Sequence, residues 1–124
     1  MSYCSKLYVV EKTKVVDDDC KFYARDIAMF DLGQIYELSD TFRNQKETNC
    51  FIYADDGNTE ILEDRYGEPL TELTVESTIN LLKKDMDIVD SYRRILPFLS
   101  MLESFYQQQQ NGIWRNLAVL HYGY

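Results

Sequence analysis

Carboxylates are the most abundant side chains in this sequence that could do chemistry. The 124 residues include 21 Asp and Glu against 13 Lys and Arg, which gives a formal net charge of −8. Residues 17–76 have a net charge of −11, whereas residues 1–16 carry +2 and residues 77–124 carry +1. The densest acidic positions, which we take as candidate partner-binding residues, are Asp17, Asp18, Asp19, Asp55, Asp56, Glu60, Glu63 and Asp64.

This charge distribution excludes one class of function and favours another. Nucleic-acid binding requires cations that displace the counterions of the phosphates, so we expect no direct binding to DNA or RNA. Complementary charge favours a basic protein partner, because opposite potentials accelerate encounter and select the partner. The ten Tyr residues agree with an interface, since Tyr buries a ring while its hydroxyl stays hydrated. The alternative is that the acidic half is only a solvated face.

The thiols and the single imidazole form no metal or nucleophile motif. Cys4, Cys20 and Cys50 include no Cys-x-x-Cys pair, and an odd number is a poor disulfide framework. We interpret them as buried thiols in a reducing compartment. His121 has no neighbours at zinc-ligand spacing, and we expect an ordinary residue near the end of a strand. A Cys–His nucleophile pair stays open as an alternative, because such partners meet in space and not in sequence.

Motifs of the common enzyme classes are also missing from the sequence. Residues 55–60 superficially resemble a calcium loop, but they lack the alternating acids, the Gly at the sixth position and the Glu at the twelfth. The five Gly are isolated, so there is no phosphate-binding loop, and no Gly-x-Ser-x-Gly motif occurs. We therefore predict that the protein is not an enzyme and that it uses no metal and no cofactor.

A second group of side chains suits a different function. Arg93, Trp114 and Arg115 lie in the less acidic part of the chain. Arg can hold a phosphate while an aromatic ring stacks on a base, so these residues could bind a small nucleotide. The alternative interpretation is that these Arg are exposed or paired with acidic residues.

The elements that must position these residues follow from the spacing of apolar side chains. Residues 7–12 and 50–54 predict strands, and residues 55–58 predict a turn that leads into a strand within 59–65. The spacing of Tyr23, Ile27 and Phe30 predicts a helix from Phe22 to a stop at Gly33. Residues 34–38 predict a short strand, and residues 39–44 predict a helical turn capped by Ser39.

The last third of the chain predicts two helices and a final strand. Thr74 is a suitable N-cap, and Val75, Ile79, Leu82, Met86 and Val89 fall on one face of the first helix. Pro97 suits the first turn of a second helix, whose apolar residues are Phe98, Leu99, Leu102, Phe105 and Tyr106. Asn111 and Gly112 end it, and residues 113–122 predict a strand that joins the central sheet.

The fold class that these elements predict is α+β. We expect residues 1–124 to form a single domain with a small, largely antiparallel sheet packed against two or three helices on one side. No apolar run is long enough to span a bilayer, and the first residues lack the features of a secretory signal. We therefore expect no contact with a membrane and a location in the cytoplasm. We also expect that the Tyr- and Met-rich helices could form a homodimer.

Size, acidity, tyrosine content and the lack of a catalytic motif together resemble a class of known proteins. The phrases Tyr53-Ala54-Asp55-Asp56-Gly57-Asn58-Thr59 and Leu120-His121-Tyr122-Gly123-Tyr124 are similar to those of phage open reading frames. The class comprises the small acidic anti-defence proteins of phages and mobile elements, of which the anti-CRISPR proteins are the best known. This resemblance covers no motif that can be aligned, so no residue role is transferred from it.

The resemblance implies a non-enzymatic inhibitor that acts in the cytoplasm of a bacterial host. Its partner would be a basic protein that handles nucleic acid, such as a Cas effector, and its carboxylates would stand in for phosphates as a DNA mimic. Two other hypotheses are retained. The protein could be a small-ligand binder that sequesters a nucleotide immune signal through Arg93, Trp114 and Arg115. It could also be a phage accessory or regulatory protein.

Overall fold

Seven strands and two helices make up the part of the chain that the structure describes. The structure is a computed structural model, and it describes residues 5–15, 22–32, 41–42, 44–48, 50–53, 60–61, 69–84 and 95–123. The strands are β1 (Lys6–Val15), β2 (Phe22–Asp31), β3 (Lys46–Glu47), β4 (Cys50–Tyr53), β5 (Glu60–Ile61), β6 (Thr71–Leu73) and β7 (Leu117–Tyr122). The helices α1 (Val75–Lys84) and α2 (Ile95–Gln110) both lie between β6 and β7 in the chain.

The strands join one sheet in the order β3-β6-β7-β1-β2-β4-β5. The first five strands in this order pair antiparallel, whereas β4 runs parallel to β2. β4 and β5 form an antiparallel hairpin in which Ile52 lies opposite Ile61. This arrangement confirms the predicted α+β class with a largely antiparallel sheet. It also confirms that the last strand enters the centre of the sheet, although β7 begins at Leu117 and not at residue 113 as predicted.

The prediction of a helix from Phe22 is wrong, because this segment is the strand β2. It pairs with β1 along its whole length, from Lys6 opposite Asp31 to Val15 opposite Phe22. An offset of four residues keeps two side chains on one face of a strand as well as of a helix, so the first part of the pattern did not discriminate between them. The helix prediction rested on the offset of three between Ile27 and Phe30.

A β-bulge explains that offset of three. The register shifts by one residue at Ile27, between the pair Val9–Ala28 and the pair Val10–Asp26. A bulge inserts one extra residue into a strand and so changes the alternation of its faces. Ile27 and Phe30 can therefore both pack against the same core although they are separated by an odd number of positions.

The main core lies on the sheet face that the helices cover. Leu7 and Val9 of β1 and Leu117 and Val119 of β7 supply its sheet side. The helices contribute Val75, Ile79, Leu82, Ile95, Phe98, Leu99 and Leu102. Phe30 of β2 also stacks on Phe98 of α2, with ring centroids 4.6 Å apart. This packing confirms the predicted apolar face of each helix as far as the structure describes it, and it confirms that the helices cover one side.

A second, smaller apolar cluster lies on the opposite face of the sheet. It consists of Val10, Leu70, Ala118 and Leu120, which are at most 3% exposed. Tyr8 and Tyr122 pack against its margin and are partly buried. Val10 lies opposite Ala118, and Tyr8 lies opposite Leu120, so the alternation of β1 and β7 separates this cluster from the main core. The neighbouring strands β1 and β7 are thus apolar on both faces.

The ends of both helices follow from their sequences. Thr74 caps α1, because the Ser77 N–H donates to Thr74 Oγ1 at 3.0 Å. Pro97 lies in the first turn of α2, as predicted. After α2, Gly112 has a φ of 80°, and the N–H of Ile113 donates to the carbonyl of Gln108 at 3.0 Å. That bond is the Schellman motif, in which Gly avoids the strain that a side chain would cause.

Other predicted elements are confirmed in part or lie outside the description. Thr41 and Phe42 are helical, in agreement with the predicted turn at 39–44, whereas its cap Ser39 is not described. Strands at Cys50–Tyr53 and Glu60–Ile61 confirm the predicted hairpin. The strand predicted at 34–38, the turn at 55–58 and the helix residues Met86 and Val89 lie outside the described residues.

We predict that Thr74→Ala lowers the free energy of unfolding by about 1 kcal/mol, because the variant leaves an N-terminal N–H of α1 without its side-chain acceptor. Thr74→Ser keeps the hydroxyl and is the matched control, with a stability close to that of the parent. Urea unfolding followed by circular dichroism measures both variants. Equal destabilisation by Ala and Ser would contradict a capping role for this side chain.

Candidate functional site

Most of the predicted partner-binding acids lie outside the described residues. These are Asp17, Asp18, Asp19, Asp55, Asp56, Glu63 and Asp64. The structure describes the backbone of Glu60, which begins β5 opposite Tyr53 of β4. The strands that precede these acidic runs in the chain are described.

Those strands are neighbours in one half of the sheet. Asp17–Asp19 follow β1 and precede β2, and Asp55 and Asp56 follow β4 and precede β5. Glu63 and Asp64 come directly after β5. The sheet order places β1, β2, β4 and β5 consecutively, with β5 at the edge. Each acidic run thus follows a strand of the same half of the sheet, although the runs are separated by up to 47 positions in the sequence.

The residues of the alternative nucleotide hypothesis are described only in part. Trp114 is partly buried, and its Nε1–H donates to Oε1 of Gln108 at 2.8 Å. Its ring packs against Phe105 with centroids 5.8 Å apart. Arg115 is exposed, and Arg93 lies outside the described residues. The indole thus already has contacts within the chain on its polar edge and on its ring.

His121 takes part in a buried polar contact that the sequence analysis did not find. Its Nε2 lies 2.6 Å from Oγ of Ser5, and the two residues are 2% and 0% exposed. The imidazole also stacks on the ring of Phe42, with centroids 6.0 Å apart. The contact joins residues 116 positions apart, so no local spacing could have indicated it.

This contact holds three parts of the chain together. Thr71 of β6 lies opposite His121 and donates from Oγ1 to the carbonyl of Phe42 at 2.6 Å. Ser5 precedes β1, and Phe42 belongs to the helical turn at 41–42. A hydroxyl beside an imidazole could in principle serve as a nucleophile and its base. Its near-complete burial favours a structural role, in which each polar atom satisfies the other away from water.

Lys12 and Glu72 form an ion pair on the opposite face of the sheet. Lys12 Nζ lies 2.7 Å from Glu72 Oε2, and these side chains are 14% and 24% exposed. The hydroxyl of Thr48 donates to Glu72 Oε1 at 2.7 Å. The strands of the two charges, β1 and β6, are separated by β7, whose Ala118 presents only a methyl group on that face. The small side chain leaves room for the aliphatic stem of Lys12 to cross β7.

A groove of about 410 Å³ separates α1 from α2. Its walls are Glu76, Ile79, Asn80 and Lys83 of α1 and Glu103, Tyr106 and Gln107 of α2. Ile79 is 8% exposed and Tyr106 is partly buried, whereas the other wall residues are exposed. Lys83 Nζ lies 3.4 Å from Glu103 Oε1 across the groove, with both side chains about half exposed.

Two further findings concern the described residues alone. No group of three His, Cys, Asp or Glu among them could hold a metal ion. Neither α1 nor α2 has the length and apolar character that crossing a bilayer requires.

Comparison with known proteins finds no relative. No protein-family model matches the chain, and neither a curated protein nor a solved structure shows significant similarity to it.

We predict that Ser5→Ala lowers the free energy of unfolding by about 1–3 kcal/mol, because it leaves a buried imidazole nitrogen without this partner. A double-mutant cycle with His121→Phe separates the contact from the loss of each side chain, with an expected coupling of about 1 kcal/mol. Urea unfolding of the parent, the two single variants and the double variant measures it. If the effects of the two single substitutions simply add in the double variant, the contact between Ser5 and His121 contributes nothing to stability.

We also predict that the ion pairs Lys12–Glu72 and Lys83–Glu103 differ in their contribution to the free energy of unfolding. Glu72→Gln removes the charge that faces the mostly buried Lys12 and is expected to cost about 1–2 kcal/mol of unfolding free energy. Glu103→Gln makes the same chemical change at the exposed pair with Lys83 and is expected to cost less than about 0.5 kcal/mol. Thermal and urea unfolding at equal ionic strength compare the two variants. The interpretation fails if Glu103→Gln is the more destabilising substitution.

Proposed function

We propose that this protein is a non-enzymatic inhibitor that binds a basic, nucleic-acid-handling protein of a bacterial host. The inhibitor belongs, in this proposal, to the anti-defence proteins of a phage or mobile element and acts in the host cytoplasm. The observation that carries the proposal is the concentration of acid in one stretch of the chain. Residues 17–76 have a net charge of −11, and their acidic runs follow β1, β4 and β5, which with β2 are consecutive in the sheet.

The proposed mechanism is competition with nucleic acid. A surface that binds DNA or RNA is rich in Lys and Arg, because these side chains replace the counterions of the phosphates. The carboxylates of the acidic runs have the same sign of charge as those phosphates. They would occupy the partner's basic groove and exclude its nucleic acid, and the complementary potentials would accelerate their encounter.

Burial of the Ser5–His121 contact supports the non-enzymatic part of the proposal. These two side chains are the described pair that most resembles a nucleophile and a base, and both are almost inaccessible to a substrate. Their contacts with Phe42 and Thr71 give them a structural role instead. A binding function requires no such reactive pair.

A set of three substitutions tests the proposal. Asp55→Asn, Asp56→Asn and Asp64→Asn together remove three charges from the acidic stretch, and Asp85→Asn, Asp87→Asn and Asp90→Asn remove three outside it. We expect the immobilised parent to capture proteins from a bacterial lysate that double-stranded DNA then displaces. The first triple variant should capture at least about tenfold less protein than the parent, whereas the second should capture nearly as much. The reason is that the position of the charges, and not the net charge, determines how well they complement the partner.

Salt dependence supplies the second measurement on the captured proteins. Binding of the parent should weaken steeply as the salt concentration rises, because exposed charges are screened within about 10 Å at 0.1 M salt. The first triple variant should show a shallower dependence. Equal capture by the two triple variants, or capture that DNA does not displace, would exclude competition with nucleic acid as the mechanism.

A further inference from the structure

The groove between α1 and α2 has walls suited to a particular kind of side chain. On α1, Glu76, Asn80 and Lys83 are spaced by four and three residues and therefore lie along one face of the helix. On α2, Tyr106 and Gln107 follow Glu103 by three and four residues and therefore lie on the same face as Glu103. Each helix thus contributes one carboxylate and one side-chain amide to the groove, and α2 adds an aromatic ring.

The charge of the groove favours a cation. Two carboxylates and one ammonium line it, so its formal charge is −1. The ammonium of Lys83 is paired with Glu103 at 3.4 Å, but this pair is about half exposed on both sides. Such exposed pairs contribute little to stability, so an incoming cation can replace Lys83 at little cost. Glu76 lies in the first turn of α1 and carries the carboxylate that the ammonium of Lys83 is not shown to contact.

The remaining wall residues distinguish between cations. Ile79 and the ring of Tyr106 offer apolar surface to an aliphatic stem and to a flat group. A guanidinium is planar, stacks on aromatic rings and has five N–H donors that can reach two separate acceptors at once. An ammonium is a compact charge with three donors and gains less from a ring and two carboxylates on different helices. The groove therefore matches the side chain of arginine better than that of lysine.

We infer that this groove is a binding site for an arginine side chain of a protein partner. The guanidinium lies between Glu76 and Glu103, its face lies against Tyr106, and the side-chain carbonyls of Asn80 and Gln107 accept its remaining N–H groups. The identification of the partner as a basic protein rests on the proposed function. The site itself consists of residues of the two helices, none of which belongs to the acidic runs, and it can be tested without the partner.

The test compares two peptides of equal charge. Hexa-arginine and hexa-lysine are titrated into the full chain, and affinity is followed by calorimetry and by NMR shifts of the backbone amides of α1 and α2. We expect hexa-arginine to bind at least about fivefold more tightly than hexa-lysine. Only the planar guanidinium can donate to both carboxylates at once, and the contact is exposed, so the expected difference is modest. The largest shifts should include the side-chain amides of Asn80 and Gln107.

Three single-residue variants locate the binding. Glu76→Gln and Glu103→Gln are each expected to weaken hexa-arginine about five- to tenfold and to reduce its preference over hexa-lysine. Glu47→Gln is the matched control, since Glu47 is an exposed residue of β3 and its substitution changes the net charge by the same amount. The replaced side chains are all exposed, so unchanged circular dichroism spectra are expected and will verify the fold.

The outcomes separate this inference from the proposed function. Equal affinity for the two peptides, no binding of either, or equal effects of Glu76→Gln and Glu47→Gln would each overturn the arginine site. The triple variant of Asp55, Asp56 and Asp64 should weaken both peptides to a similar degree and leave the arginine preference intact. If DNA does not displace the captured proteins but the chain still prefers hexa-arginine, nucleic-acid mimicry is rejected and the groove remains a guanidinium site.

Discussion

The pairing of β1 with β7 is the interaction on which the rest of the structure depends. It joins Lys6 to Tyr122 and Leu7 to His121, so it brings together positions more than 110 residues apart. Closing so large a loop costs entropy before any contact can compensate for it. The compensation comes from both faces of these strands, where Val9 and Val119 belong to the main core and Val10 and Ala118 to the second cluster. The polar contact between Ser5 and His121 extends the same junction.

This central pairing organises everything that lies between its two strands. β2 covers the other edge of β1, β6 covers the other edge of β7, and both helices pack on the face that the strands share. The ion pair of Lys12 with Glu72 crosses β7 on the second face and so links β1 to β6 directly. Stability is thus concentrated in residues that are apolar or paired.

The sequence predicted those elements whose signals are local. The cap at Thr74 and the stop at Gly112 depend on a few adjacent residues, and the structure has both. The strands β3 and β6 were not predicted, because two or three residues are too few to show a period of alternation. β2 was predicted as a helix because a bulge, which depends on pairing with another strand, changed its alternation. Local pattern cannot reveal a feature that only the neighbouring strand creates.

The candidate sites also divide into features that the sequence predicts and features that only folding creates. The excess of acid could be counted in the sequence, since charge needs no contact to be recognised. The contact of Ser5 with His121 and the groove between the helices could not, because each depends on residues that are brought together only by folding. The spacing of Glu76, Asn80 and Lys83 did define one helix face, yet its importance depended on the position of α2. Amphipathic spacing shows which residues share a face, and the fold decides what that face meets.

The bulge at Ile27 has a consequence for how the chain can vary in length. Loss of one residue within a regular strand reverses the two faces for every position beyond it, and apolar side chains then point into water. Ile27 is the surplus residue between the pairs Val9–Ala28 and Val10–Asp26, so its removal would leave all the other pairs of β1 and β2 matched. Deletion at this position would sacrifice one apolar contact, whereas deletion two residues later would invert the end of the strand.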